Sequence, residues 1–291
     1  MNAVSRVGDY LRLVKFSHTI FAMPFALVSF SYALWSSEAT FSWWLLTQVV
    51  LCMVFARNVA MGFNRYADRD IDKANPRTAR REIPRGVISP RNALLFVVAN
   101  GLLFVATAAS INLLTALLSP VALAVVMGYS YCKRFTSAAH LVLGLSLAIA
   151  PAGAYIAVTG SLAVAPCLLS LVVLTWTAGF DIIYAMQDAE FDRQRGLHSI
   201  PSRFSVATSL YISIALHAVS IAALVAFAWL YLPQAWPLWC GVGLFTAILV
   251  AEHSLVTPRR QRSIAIAFGT LNGLASLTLA IFVIADILIY G

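Results

Sequence analysis

The chain has 291 residues, about 60% of them apolar and only 11% charged, with a formal net charge of +8 and a mean hydropathy of +0.83. A water-soluble domain carries about a quarter charged residues, so this composition points to a membrane protein. It argues against disordered, collagen-like and nucleic-acid-binding classes despite the basic excess. Cys52, Cys132, Cys167 and Cys240 lie far apart in apolar stretches. Their spacing supports neither a zinc site nor a disulfide framework, and they are expected to be small core residues. No Pro-, Gly- or Ser-rich stretch marks a linker, so residues 1–291 read as one membrane-embedded domain.

An apolar run of about 20 residues crosses the hydrocarbon core as a helix, because in lipid the backbone must satisfy its own hydrogen bonds. Nine such runs are expected, near 17–36, 41–63, 92–111, 113–131, 138–159, 164–186, 206–232, 236–256 and 264–290. The connections after the second, fourth, sixth and eighth are basic, and those after the first, third, fifth and seventh contain no Lys or Arg. All 20 basic residues thereby fall on one side. The positive-inside rule places that side, and the N-terminus, in the cytoplasm, which explains much of the net charge.

Seven of the 12 acidic residues cluster in two windows at the cytoplasmic ends of even-numbered spans: Asp68, Asp70 and Asp72, then Asp181, Asp188, Glu190 and Asp192. On a helix, Asn64, Asp68 and Asp72 drift by only about 80° while rising about 12 Å. Asp181, Asp188 and Asp192 occupy an arc of about 40° along roughly 16 Å. Two polar stripes result, while Asp70 and Glu190 point elsewhere, toward solvent or headgroups. Carboxylates gathered at a membrane repel one another and resist desolvation, so the five stripe acids need a compensating cation. Mg²⁺ suits such oxygen ligands and binds through one or two carboxylates plus phosphate oxygens, so a Mg²⁺-bridged diphosphate between the stripes would balance the charge.

The adjoining loops fit phosphate as well. Arg77, Arg80, Arg81 and Arg85 follow the first stripe, and Arg193, Arg195, His198 and Arg203 follow the second. Both sets can contact phosphate oxygens, although topology or lipid headgroups would account for some of them. Arg57 lies seven residues before Asn64, on nearly the same face and about 10 Å deeper. An intramembrane Arg is expensive, and its partner is expected to be a carboxylate, a diphosphate or a substrate carboxylate. His18, His140, His217 and His253 show no ligand spacing and read as polar core or helix-end residues.

The stretch Asn64-Arg-Tyr-Ala-Asp68-Arg-Asp-Ile-Asp72, followed by Asn75-Pro-Arg77-Thr78 and Pro84-Arg-Gly86, resembles the first signature of the UbiA superfamily of intramembrane aromatic prenyltransferases. Asp181-Ile-Ile-Tyr184-Ala-Met-Gln187-Asp188-Ala-Glu-Phe-Asp192 resembles the second. The likeness covers nearly the whole chain, with Arg57 before the first motif and Lys133-Arg134 after the fourth span. Members often carry an Asp directly after the motif Asn, where this chain has Arg65; in a continuous helix that side chain points away from the stripe. Asn-Pro-Arg-Thr and Gly196-Leu-His198-Ser-Ile-Pro201 look most like the bacterial 4-hydroxybenzoate polyprenyltransferase-like branch, some of whose members are thought to act on a dihydroxynaphthoate in menaquinone synthesis.

The resemblance implies an all-α integral membrane bundle of nine helices, with a central cavity opening toward the cytoplasmic side of a bacterial inner membrane. It implies Mg²⁺ held by Asn64, Asp68, Asp72, Asp188 and Asp192. The substrates would be a polyprenyl diphosphate and a small hydroxylated aromatic acid. Lys133, Arg134 and Arg77 or Arg80 would collect the departing diphosphate. Asp181 or Asp188 would orient or deprotonate the acceptor hydroxyl, and Arg57 would bind its carboxylate or the diphosphate. A secondary transporter is the main rival from another class, since intramembrane acids also serve as ion sites, but those usually lie near the midplane in broken helices. A metal-dependent membrane phosphotransferase is a second rival, but its Asp-Gly and Ala-Arg pattern is not found here. Prenyl length, acceptor identity and oligomeric state are not legible in the residues.

Overall fold

The computed structural model describes residues 3–14, 21–256 and 264–291; Lys15, His18, Arg259, Arg260 and Arg262 lie outside the described residues. In chain order the helices are α1 (Ala3–Leu13), α2 (Met23–Ser36), α3 (Trp43–Ala67), α4 (Arg69–Ala74), α5 (Pro90–Ala109), α6 (Leu113–Cys132) and α7 (Ala139–Thr159). They continue with α8 (Val164–Ala185), α9 (Ala189–Gln194), α10 (Ile200–Arg203), α11 (Val206–Tyr231), α12 (Trp236–Leu255), α13 (Ile264–Ile266) and α14 (Asn272–Tyr290). A 3₁₀ turn, Met186–Asp188, joins α8 to α9, and a π-helical turn, Ala267–Leu271, leads into α14.

Eight of these helices are long and apolar enough to cross a bilayer. The expected span near 17–36 is the exception: its described helix, α2, has 14 residues, about 21 Å of rise against a hydrocarbon core of about 30 Å. Local chemistry sets the helix starts. Ser42, Ser89, Asn112 and Ser205 each accept a hydrogen bond from the backbone N–H three residues on, supplying an acceptor to a helix start whose N–H donors lack one. Pro90 stands in the first turn of α5, where no backbone donor is needed.

The outer surface is apolar along the spans, and aromatic residues mark one end of them. Trp43, Trp44, Trp229 and Trp236 are all exposed at the end opposite the acidic motifs, and Trp236 Nε1 donates to Tyr290 Oη at 3.0 Å. Such a belt belongs at a membrane–water interface. Cys167 and Cys240 are exposed rather than in the core; a small apolar side chain is equally at home facing lipid tails.

Inside, α8 packs between α7 and α11, and α2 fits between α7 and α14. The core centres on Trp176, Phe25, Phe227 and Phe245. Several of its polar groups pair with one another, as burial in a low dielectric favours. Trp176 Nε1 donates to Asn272 Oδ1 at 2.8 Å, Asn272 Nδ2 donates to Glu252 Oε1 at 3.0 Å, and His217 Nδ1 lies 2.9 Å from His253 Nε2. His217 and His253 are therefore core residues, as their lack of ligand spacing suggests.

The approach of α7 to α8 depends on Gly144, where a Cβ would press on the carbonyl oxygen of Leu174. Small residues let membrane helices meet at backbone distance. Replacing Gly144 with Leu should destabilise the protein by about 1–3 kcal/mol through overpacking. Gly128→Ala, at a position with nothing within 4 Å, should stay within about 1 kcal/mol of the parent. Thermal unfolding in detergent checks both.

Candidate active site

The two acidic motifs are not on unbroken helices. Helix α3 ends at Ala67, and Asp68 leaves helical geometry (φ −94°, ψ 9°) before α4 begins. In the second motif the 3₁₀ turn interrupts the run between Asp181 and Asp192. Each break turns the chain at the membrane end, and both stripes still face one chamber of about 230 Å³. Asn64, Asp68, Asp72, Asp181, Asp188 and Asp192 all line it.

The first motif's loop reaches across this chamber to the second motif. Asn75 Nδ2 and Arg77 Nε both donate to Asp188 Oδ1, at 2.9 and 2.8 Å, and the outer Arg77 nitrogen pairs with Asp188 Oδ2. Arg77 also donates to Tyr184 Oη at 2.8 Å and lies over that ring, 5.2 Å from its centroid. This is a two-pronged guanidinium–carboxylate pair of the stronger kind. Although partial burial works against its charge, the bonds to Asp188 and Tyr184 prevail and hold the Arg77 pKa above its ordinary value.

The other acids are also paired. Asp68 accepts from Asn64 Nδ2 at 3.1 Å and from Arg134 at 3.2 Å. Asp72 accepts from Arg81 at 2.6 Å, and Asp192 forms an ion pair with Lys133 at 3.2 Å. Desolvation raises the Asp68 pKa, with the bond from Arg134 opposing it. Four of the chamber's acids thus each have an arginine or lysine beside them.

Several expectations need revision. Arg65 does not point away from the stripe: it is buried, lines the chamber and lies 4.0 Å from Asp72. The stripe is not carried on one continuous helix, so a fixed 100° step does not describe its facing. Arg80 is exposed and absent from the chamber wall, whereas its neighbour Arg81 lines it. Arg134 approaches from outside the wall, holding Asp68 and the carbonyl oxygen of Ala67 at 2.7 Å. Asp70 and Glu190 face outward as expected and pair with Arg69 and Arg193.

Two wall residues carry no local sequence signal. His140 is 1% exposed and contacts Asp181 at 2.7 Å, but 41 positions separate them. Tyr129, on α6, joins Arg57 where the chamber meets a second cavity. That second cavity, of about 170 Å³, is almost wholly apolar and shares Arg57, Met61, Tyr129, Leu143 and Leu147 with the first. Its wall follows α6 from Tyr129 to Thr115 and α7 from Leu143 to Ala157, about 21 Å along each helix. A charged head site therefore opens directly onto an apolar channel.

Among the described residues no group of three or more His, Cys, Asp or Glu side chains forms a metal cage. The donors nonetheless fit a hard divalent cation: they are carboxylate and amide oxygens, and Asp72 Oδ2 and Asp192 Oδ2 are buried without a hydrogen bond. Mg²⁺ takes one or two carboxylates and fills its shell from phosphate and water, so a preformed cage is not required.

Comparison with known proteins agrees with this architecture. Residues 22–281 match the UbiA prenyltransferase family. A 4-hydroxybenzoate octaprenyltransferase of Herminiimonas arsenicoxydans is 30% identical over 98% of this chain and 100% of its own length. One from Edwardsiella ictaluri is 31% identical over 93% of each chain. Among solved structures, an apo UbiA homologue from Aeropyrum pernix K1 aligns with a TM-score of 0.79 at 30% identity, over 94% of this chain and 97% of that one. A UbiA homologue from Archaeoglobus fulgidus bound to GPP and Mg²⁺ shares the fold, with a TM-score of 0.73 at 21% identity over 97% of this chain and 100% of that one. With a match from residue 22 to residue 281 and relatives aligned along nearly the whole length, the chain belongs to the UbiA prenyltransferase family of membrane enzymes.

Proposed function

We propose that the protein transfers a polyprenyl group from a polyprenyl diphosphate to the ring carbon beside the hydroxyl of an aromatic carboxylate, in quinone biosynthesis. One observation carries the reading: a chamber lined by paired acids and bases continues, at Arg57 and Tyr129, into an apolar cavity. A molecule with a doubly charged head and a long hydrocarbon tail matches that change of polarity. Relatives named 4-hydroxybenzoate octaprenyltransferase favour 4-hydroxybenzoate as the acceptor, with a dihydroxynaphthoate as the competitor to test. The basic loops orient the chamber and the N-terminus toward the cytoplasm of a bacterial inner membrane.

Asn64, Asp68, Asp72, Asp188 and Asp192 would hold Mg²⁺, the cation that accompanies GPP in the Archaeoglobus homologue. When bound, it neutralises diphosphate charge and so improves the leaving group. The chain's own cations do the rest. Arg77, Arg81 and Lys133 exchange their carboxylate partners for phosphate oxygens, while Arg134 holds Asp68 from behind. Phe180, Tyr184 and Phe268 line the chamber and keep water from an allylic cation. Arg57, at the chamber's deep end, binds the acceptor carboxylate. Asp181 then takes the acceptor's hydroxyl proton as the ring carbon attacks.

Asp68→Asn and Asp188→Asn should each lower turnover by at least about 10²-fold while the protein remains folded. Prenylated product measured across a Mg²⁺ titration checks this, and near-parent activity in either variant rejects the ligand set. Chelation with EDTA should stop product formation, and Mg²⁺ should restore it. Arg57→Ala should raise KM for the aromatic acid by about tenfold or more and leave KM for the prenyl diphosphate nearly unchanged. Parallel reactions with 4-hydroxybenzoate and dihydroxynaphthoate decide the acceptor. Transport of a solute into liposomes without prenylated product would reject the enzymatic reading.

A further inference from the structure

His140 stands in the first turn of α7, buried, with contacts from both ring nitrogens. Nδ1 is 2.7 Å from Asp181 Oδ2, and Nε2 accepts the backbone N–H of Ile200 at 3.3 Å. A backbone N–H can only donate, so Nε2 is the unprotonated nitrogen of a neutral ring. Nδ1 then carries the hydrogen and donates it to Asp181.

The amide that fixes this tautomer is itself held in place. Ile200 begins α10, whose start is closed by a capping box between Ser199 and Ser202. The preceding loop turns at Gly196, whose φ of 65° suits glycine. It is pinned where His198 N–H donates to the Lys133 carbonyl oxygen at 2.6 Å. Among the described residues Asp181 makes no other hydrogen bond, and its side chain is 21% exposed to the chamber. One carboxylate oxygen is thus anchored and the other is left to the chamber.

We propose that His140 is a positioning residue that holds Asp181 as the proton acceptor of the transfer reaction, with the Ile200 amide setting the imidazole tautomer. This rests on the prenyl transfer proposed above. In that reaction the C–O bond of the prenyl diphosphate breaks and its electron pair leaves with the diphosphate. A bond forms between the prenyl carbon and the ring carbon beside the hydroxyl, as Asp181 Oδ1 receives the hydroxyl proton. The ring carbon then loses its proton and the former hydroxyl oxygen regains one as the ring becomes aromatic again, so one net proton remains on Asp181 and passes to water. His140 keeps its own proton throughout. Its part is to leave Asp181 a single rotamer and a single free oxygen.

The test uses the full chain in nanodiscs with Mg²⁺, a prenyl diphosphate and 4-hydroxybenzoate. His140→Phe should lower kcat by about 10²-fold, with KM for the prenyl diphosphate within about twofold of the parent. His140→Asn, whose side-chain amide replaces the Nδ1 donor, should recover to within about tenfold. Asp181→Asn should lose a similar factor, and adding His140→Phe to it should cost little more, because the two act as a unit. Full activity in His140→Phe or Asp181→Asn overturns the proposal. So does an equal loss in His140→Phe and His140→Asn accompanied by a raised KM for the prenyl diphosphate, which marks a merely structural role. The ¹⁵N spectrum of His140 supplies a readout free of any substrate: the neutral Nδ1–H tautomer is expected, and the Nε2–H tautomer overturns the proposal. If the parent protein prenylates no aromatic acid, the proposed function falls, while the tautomer still decides the dyad.

Discussion

Five carboxylates and a comparable number of basic side chains share one end of a helical bundle that otherwise offers them only lipid and apolar side chains. At that depth a lone charge is expensive, and four of the five pair with a cation: Asp188 with Arg77, Asp72 with Arg81, Asp192 with Lys133 and Asp68 with Arg134. Three of these pairs join separate parts of the chain. The clasp of Arg77 and Asn75 on Asp188 is the most consequential, because it ties the loop after α4 to the turn between α8 and α9. Removing one member leaves the other without its charge partner in the chamber wall. The same pairing keeps the chamber available for chemistry. A metal-bound diphosphate brings positive charge for the acids and negative charge for the bases, so binding exchanges partners without leaving a charge stranded.

The polarity gradient follows from where the helices break. Backbone that departs from helical geometry is tolerated at membrane depth only where protein or a polar cavity satisfies it. Asp68 and the turn at Met186–Asp188 sit at such places. Below them α3, α6 and α7 continue as regular apolar helices around the second cavity. Arg57 and Tyr129 stand at the transition, where a reacting carbon between a charged head and a hydrocarbon tail would lie. The aromatic wall of Phe180, Tyr184 and Phe268 is held by ring contacts, including Tyr184 on Phe268 at 4.2 Å and Phe180 on Trp176 at 5.0 Å. Water exclusion and core packing are therefore one set of contacts.

Much of this was legible in the residues, for physical reasons. Twenty-residue apolar runs and one-sided basic loops are strong local signals, and eight of the expected helices stand close to where hydropathy puts them. The acids of both motifs recur at helical spacing, and that spacing survives the breaks well enough to gather them in one chamber. A fixed rotation per residue turns Arg65 away from the stripe because it ignores both the break at Asp68 and the reach of an arginine. Arg80 and Arg81 are adjacent in a turn, and nothing local decides which turns inward. Residue type alone does not separate core from lipid at Cys167 and Cys240, because both reward the same apolar side chain. His140 was missed for a different reason: its meaning comes from Asp181 on α8 and the Ile200 amide in a distant loop, a relation that only the folded chain contains.

The most direct test of this charge-exchange site is a structure of the protein with Mg²⁺ and a non-reactive prenyl thiodiphosphate. The diphosphate should lie between Asp68 and Asp188, with the tail entering the apolar cavity past Arg57. Arg77 and Arg81 should have moved from carboxylate to phosphate oxygens. A diphosphate bound outside this chamber, or one inside it with the Arg77–Asp188 and Arg81–Asp72 pairs unaltered and no metal on the acids, would contradict the account.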